Sequence, residues 1–511
     1  MPSSLGSVLG TARSALAAQQ QVIQTAGHNI ANASTEGFSR QRVELGPSFE
    51  RRDAAGMVGT GVRVNDVRRA RDVLLDVTVR EENGGEAAAS TRRELLERVE
   101  GVIGEPSETG LASTLDALWS AWSDLASAPT SRAARSVVLQ RASAAAETLN
   151  QFADRLADVR QQTTLRLDNT LGEVNALSRR VAELNGSIVR AEVGRQAEAS
   201  DLRDQRDLAV DRLAQLVGAT EIPRPDGSVQ VTVAGYTLVD GIHPRALTRT
   251  TDALGRTALA LADTPGRALK PVGGSAQAMA DFLNTDLQGA QDQLDATANA
   301  LARAANAVHG AARDSAGAAG RPLFVDRTAT PPSFDPAASA FSAVPVPGAV
   351  TARSIGINAD LAADLSLVLT SSSAAQPTGN DVALALASLR TASTIPVGTG
   401  AGATTVRVTF VLPDRRQAPG APDLPATSAT TLADFYRAAT GGLAVQVQDA
   451  KAAAEVHSVL AGQARARRES VSGVNVDEEL TTLMRAQQAY AAAAKVVTAA
   501  DEMMQALLQI V

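Results

Sequence analysis

The 511-residue sequence predicts a mainly α fold with β inserts, a multi-domain α+β chain, on three observations. Both ends carry apolar heptad seams. The stretch from Arg132 to about Val193 keeps a helical pattern almost without interruption. Two segments, near 222–262 and across 321–430, replace that pattern with short alternating runs and turn residues. Composition agrees: aromatics are only 3% while alanine is abundant, which suits thin helices packed closely over small side chains. The net charge of −7 is mild, and acids and bases interleave along most segments, which argues against a nucleic-acid surface. Without cysteine there are no disulfides, thiolate ligands or thiol nucleophile. The N-terminus lacks the basic and continuous apolar regions of a cleaved secretory signal, and no stretch is apolar for the length a bilayer requires.

In chain order, residues 1–60 read as an N-terminal assembly helix followed by a loop. The helix is expected over 4–32, with Leu5, Leu9, Ala12, Leu16, Gln19, Ile23, Ala26 and Ile30 stepping by four and three. Gly6 and Gly10 each cost it about 1 kcal/mol against alanine, so alone it is marginal. Asn29 and Asn32 suit a helix stop, and Gly37 a tight turn before Phe38. Residues 61–320 read as a long-helix rod domain, opening with a strand that turns helical within 57–80. The helix starting at Arg132 would reach on the order of 90 Å, a rod and not a globule. Residues 201–217 run back beside it, a β insert lies near 222–262, and helix returns over 275–310.

From there alanine, proline, serine, glycine and threonine dominate. Residues 321–430 read as a smaller, irregular, β-containing outer domain with a helix near 381–390 and a strand at 405–412. Residues 431–469 are the return helix of the rod. Residues 470–511 form the C-terminal assembly helix, whose seam is Val476, Leu480, Leu483, Gln487, Tyr490, Ala494, Val497, Asp501, Met504, Leu508 and Val511. Asn475 is its expected N-cap, with Glu478 closing a capping box. Asp477, Glu478 and Glu479 meet the positive end of the helix dipole. The partner expected for this seam is the N-terminal one.

The sequence offers no enzyme. The four histidines are not spaced as ligands, and no HExxH, CxxC or EF-hand pattern occurs, so neither metal nor cofactor is expected. The glycines at 58–62 lack the third glycine of a dinucleotide loop, no Gly-Lys pair exists for a P-loop, and Gly-x-Ser-x-Gly is missing. Carboxylates interleave with arginine on helices, where they are expected to form solvated ion-paired faces.

Two strings go beyond periodicity. HNIANASTEGFSRQ, with Asn29, Asn32, Thr35, Gly37 and Phe38 on the signature positions, resembles the N-terminal signature of bacterial flagellar rod, hook and hook-associated proteins. SGVN-x-DEE, carrying Gly473, Asn475, Asp477, Glu478 and Glu479, and the QQAY after it resemble the hook-associated members, as does DLRDQRDLAVDRLAQLVG at 201–218. The resemblance implies a structural, non-enzymatic component joining hook to filament, extracellular, exported unfolded by the flagellar type III apparatus without a cleaved signal. It implies as partners other copies in a ring or helical layer, hook protein on one side, a second hook-associated junction protein on the other, and a cytoplasmic export chaperone on the C-terminal helix, with neither nucleic acid nor membrane. Three rivals are a hook or distal-rod protein, a flagellum-associated peptidoglycan hydrolase and a cytoplasmic coiled-coil scaffold. The long helices of 86–218 and SGVN-x-DEE weigh against the first, the missing carboxylate pair against the second, and HNIANASTEGFSRQ against the third.

Overall fold

The computed structural model describes residues 2–53, 56–105, 107–193, 198–264, 266–269, 273–337, 348–398, 403–413 and 430–508. Helix α1 (Pro2–Ala31) leads into β1 (Gln41–Pro47), a short ribbon of β2 (Arg51–Asp53) and β3 (Gly56–Val58), and β4 (Val62–Arg69), which returns antiparallel on β1. The expected boundary at residue 60 therefore cuts a hairpin that runs on to Arg69. Asp72 caps α2 (Val73–Ile103) by accepting from the Leu74 and Leu75 N–H groups, and Gly104, at φ 57°, ends it. Next come α3 (Leu111–Ser127), α4 (Arg132–Glu192) and α5 (Ser200–Val217).

Helix α4 is the spine. Its 61 residues, capped by the Ser131 hydroxyl, reach about 90 Å, and other elements attach along both halves. On its C-terminal half α5 lies antiparallel, tied by Glu173–Arg212 and Glu192–Arg203. There also sits the β insert: a four-stranded antiparallel sheet of β5 (Thr220–Pro223), β6 (Val229–Val233), β7 (Tyr236–Asp240) and β8 (His243–Pro244), then the hairpin of β9 (Leu247–Thr251) and β10 (Thr257–Leu261). Val229, Val231 and Val233 turn alternately inward, as a strand with one buried face must. Two asparagines of α4 stitch this insert to the spine. Asn185 accepts from the Val229 N–H and donates to the Val229 and Gly241 carbonyls, and Asn175 grips Leu247 in the same two-way manner.

The helix expected over 275–310 is present as an unbroken helical stretch from Gly274 to Gly310 with a π turn inside it. That turn, at Phe282–Asp286, lies between α6 (Gly274–Asp281) and α7 (Leu287–Gly310). Within that turn Asn284 pairs with both backbone groups of Thr257.

The segment 321–430 departs furthest from expectation. Its described elements are β11 (Phe324–Asp326), β12 (Ile355–Ile357), α8 (Ala359–Ala363), α9 (Asp381–Ser388), β13 (Thr394–Val397) and β14 (Thr404–Arg407). Residues 338–347 and 414–429 lie outside the described residues. These elements do not form a separate outer domain. Phe324, Ile355, Leu386 and Phe410 share one apolar core with Leu118 and Trp122 of α3, Leu149 of α4 and Leu301 of α7. A two-stranded ribbon cannot bury a face by itself, so each pair lies down on the helices. Buried polar groups fasten the seam: Asn150 donates to the Ala352 and Ile355 carbonyls, and Asn306 accepts from the Leu323 and Phe324 N–H groups.

Helix α10 (Leu432–Ser472) then returns antiparallel to α2, with Tyr436 on Glu105, Lys451 facing Glu97 and Arg465 on Asn83. The last described element is α11 (Val476–Leu508), which packs along α1.

Candidate assembly site at the chain ends

The last turn of α1 meets the first turn of α11, so the two helices run antiparallel. Small residues make the contact: Ala12 and Ala26 of α1 and Ala486 and Ala500 of α11 are buried. The predicted seams are only partly in that contact. On α1, Leu9, Leu16, Ile23 and Ile30 are half-buried beside the alanines. On α11, Leu483 and Val497 are half-buried, but Val476, Leu480, Tyr490 and Met504 are 40%, 43%, 41% and 39% exposed. Contact is centred one residue away from half of the expected seam, on Glu479, Ala486 and Ala500. Close approach selects the small face of α11, and a single partner helix cannot cover a wide apolar stripe. The side chains of Leu5 and Leu508, and all of Val511, lie outside the described residues.

At the clasped end the two signature strings touch. Asn29 is fully enclosed; its amide donates to the Gln41 carbonyl at 2.9 Å and to Glu479 Oε2 at 3.1 Å, while its oxygen accepts from the Gln41 N–H at 3.0 Å. Arg40 completes the clasp, its Nε donating to Glu479 Oε1 at 2.7 Å and its Nη1 to Glu478 Oε2 at 2.9 Å. Glu478 thus turns its carboxylate to Arg40, not back to close the expected capping box. Asn475 does cap α11, accepting from the Asp477 and Glu478 N–H groups. Asp477 stays exposed at the helix start.

The remaining signature residues shape the loop that delivers Arg40. Asn32 donates to the His28 carbonyl and accepts from the Thr35 hydroxyl. The Phe38 ring stands edge-on to His28 at 5.3 Å. Gly37 has φ 79°, and a Cβ there would press on Leu208 of α5 at 3.3 Å, so backbone and packing both require glycine. At Gly473 a side chain would collide with the Glu469 carbonyl oxygen.

Below the clasp lies a cluster that contradicts the expectation of solvated carboxylates. Asp204, Asp207 and Asp211 share one face of α5 at helical spacing. Asp204 accepts from the Ser39 N–H and hydroxyl at 2.9 and 2.8 Å and from Arg69 at 2.9 Å. Asp207 accepts from Arg69 and Arg71, each at 2.7 Å. Asp211 takes Arg80 of α2 at 2.6 Å and Arg468 of α10 at 2.7 Å. Arg71 also holds Asp76, and Arg80 also reaches Glu221. Burial works against each charge here. It is outweighed at Arg71 by Asp207 and Asp76 and at Arg80 by Glu221 and Asp211, so both guanidiniums hold their protons more tightly than usual. Asp207 likewise stays ionised below the usual carboxylate range, its burial overcome by Arg71, Arg69 and Arg206. Arg206 is the exception: burial lowers its pKa despite Asp207, and it instead donates to the Gly227 carbonyl. The available signal was the three-and-four spacing of these aspartates, together with the arginines packed into NDVRRARD at 65–72.

Three families match in chain order: "Flagella basal body rod protein" over residues 9–38, "Flagellar hook-associated protein FlgK helical domain" over 96–324, and "Flagellar basal body rod FlgEFG protein C-terminal" over 468–510. The first and last contain Asn29 and Glu479, the two halves of the clasp. Flagellar hook-associated protein 1 of Bacillus subtilis (strain 168) is 28% identical over 533 residues, covering 97% of this chain and 96% of that protein. Over nearly its whole length this chain is similar to flagellar hook-associated protein 1. Relatives of the same name from Salmonella typhimurium and Escherichia coli K12 are each 28% identical over 63% of this chain, which spans 59% and 60% of their lengths. The flagellar hook junction protein FlgK from Burkholderia pseudomallei shares the fold, with a TM-score of 0.55 at 16% identity over 78% of this chain and all of that one.

Proposed function

We propose that this chain is the structural link between flagellar hook and filament, and that it assembles through its paired ends. The observation carrying this reading is the joined pair of signature strings beneath an apolar face that α1 leaves uncovered: Val476, Leu480, Met484 and Tyr490 remain exposed on one side of α11. Apolar groups in such a row gain about 25 cal/mol for each Å² withdrawn from water, and neighbouring subunits would provide the cover. Copies of the chain occupy that face, hook protein lies on one side and a second hook-associated protein on the other. The chain leaves the cell unfolded by the flagellar export route, a chaperone holding the C-terminal helix until then. Ordering of α1 and α11 is completed as neighbours arrive.

Leu480→Asp and Met484→Asp test this. Because both side chains are exposed in the single chain, each variant is expected to keep the parent's melting temperature and helical circular dichroism. Each is expected to lose filament attachment and motility. Normal attachment in both variants would overturn the reading.

A further inference from the structure

Helices α10 and α11 are separated by a three-residue break, Gly473 to Asn475, at which two long helices could pivot. Both sides of that break are tied, by different routes, to the same face of α5. On the α10 side Arg468 reaches Asp211, and the Ser472 carbonyl accepts from the Arg40 N–H at 2.9 Å. On the α11 side Glu479 holds the Arg40 side chain, and Ser39, the neighbour of Arg40, is held twice by Asp204. The Arg40 carbonyl in turn accepts from the Ala70 N–H, next to Arg69 and Arg71, which grip Asp204 and Asp207.

We propose that the α10–α11 break is a hinge, and that α5 is its lock, held shut by Arg40 above and by Asp204, Asp207 and Asp211 below. The lock is assembled from three distant parts of the chain, residues 39–80, α5 and 468–479, so it forms only when both chain ends are in place. Around the α5 aspartates, with Glu221 of β5 joining them, charges pair without an outside ion: Arg69, Arg71, Arg80, Arg206 and Arg468 stand against Asp76, Asp204, Asp207, Asp211 and Glu221. Ion pairs of this kind add little to overall stability when set against an apolar alternative, but removing one partner strands the other charge. Directional arginine contacts, with Arg40, Arg69, Arg71 and Arg80 each joining two carboxylates, fix an angle in a way that apolar packing at a glycine-containing break does not. The lock thereby transmits the orientation of the terminal pair to the α4 spine.

The absence of native cysteine permits a direct test in the full-length protein. Ser458→Cys on α10 and Gln488→Cys on α11, both exposed positions, carry spin labels for a distance measurement. One narrow distance population is expected in the parent. Asp204→Ala is expected to lose it, and so is Arg40→Gln, which leaves the three α5 aspartates with their arginines and keeps the variant set informative if Asp204→Ala misfolds. Arg212→Ala, which removes an exposed α5–α4 pair, is the control and is expected to keep the narrow population. A parent distribution as broad as the variants', or a narrow one in Arg40→Gln, would overturn the proposal. Neither result depends on hook–filament joining, which filament attachment reports separately.

Discussion

At the residue scale, the molecule relies on a few buried polar side chains that each satisfy backbone groups from another part of the chain. Asn29 is one. Asn29→Ala leaves both backbone groups of Gln41 and one oxygen of Glu479 without their partner, and the cost is about 1–3 kcal/mol. The expected readout is faster amide exchange at Gln41 and in the first turns of α11, with α4 unchanged; unaltered exchange at Gln41 would contradict the bonding described. His309 is another. Its Nδ1 donates to the Arg321 carbonyl at 2.6 Å, and its Nε2 accepts from the Leu369 N–H at 3.1 Å, which requires a neutral ring. Complete burial lowers its pKa despite the opposing hydrogen bond to the Arg321 carbonyl. The unfolded chain therefore takes up this proton first. Stability from the neutral ring is full above about pH 6.5 and is lost as pH falls from there through the folded-state value. Melting temperature is expected to drop over that interval in the parent. In His309→Ala it should start lower and lack this part of the pH dependence; an identical pH profile in the two proteins would refute the role.

At the element scale, helix existence was legible, and helix phase was not. The 61-residue α4 begins at Arg132 and ends at Glu192, as its unbroken apolar pattern predicts, because periodicity over many turns leaves little room for another structure. In α11 the heptad was equally clear, yet the contact with α1 is shifted toward Glu479, Ala486 and Ala500. Periodicity ranks faces by hydrophobicity, whereas a close helix pair also selects for small volume. Helix α1 adds a prediction of its own. Gly10 lies within the helix, and beyond the adjoining helix backbone no atom comes within 4 Å of where a Cβ would stand. Gly10→Ala is therefore expected to stabilise α1 by about 0.5–1 kcal/mol, seen as slower amide exchange across its first four turns. Faster exchange would mean that the open space is needed by the pair itself.

At the scale of the whole molecule, the core does not stop where the composition changes. Pro-, Gly- and Ser-rich sequence suggests an inserted, removable domain at 321–430, but Phe324, Ile355, Leu386 and Phe410 fill the same core as Trp122 and Leu149. Deleting 321–430 behind a Gly/Ser bridge would uncover α3, the N-terminal half of α4 and α7, and would strand Asn150, Asn306 and His309. The expected product is insoluble or has lost much of its helical circular dichroism. A soluble deletion variant with the parent's helical signal would show that the helices close over the gap unaided.

What the sequence determined by itself was local or repeated: the helical class, the extent of α4, the β insert, the Asn475 cap, and the two end strings whose residues meet in the clasp. These follow from periodicity, capping chemistry and glycine geometry, which act over a few residues and leave marks in the linear order. Tertiary structure alone decided that Glu478 serves Arg40, that the aspartates of α5 are buried and not solvated, and that 321–430 belongs to the common core. Each of those outcomes depends on which charge or surface arrives from residues far away in the chain. An aspartate among arginines reads the same in sequence whether water or Arg71 surrounds it, and only the packing of α2, α5 and α10 distinguishes the two.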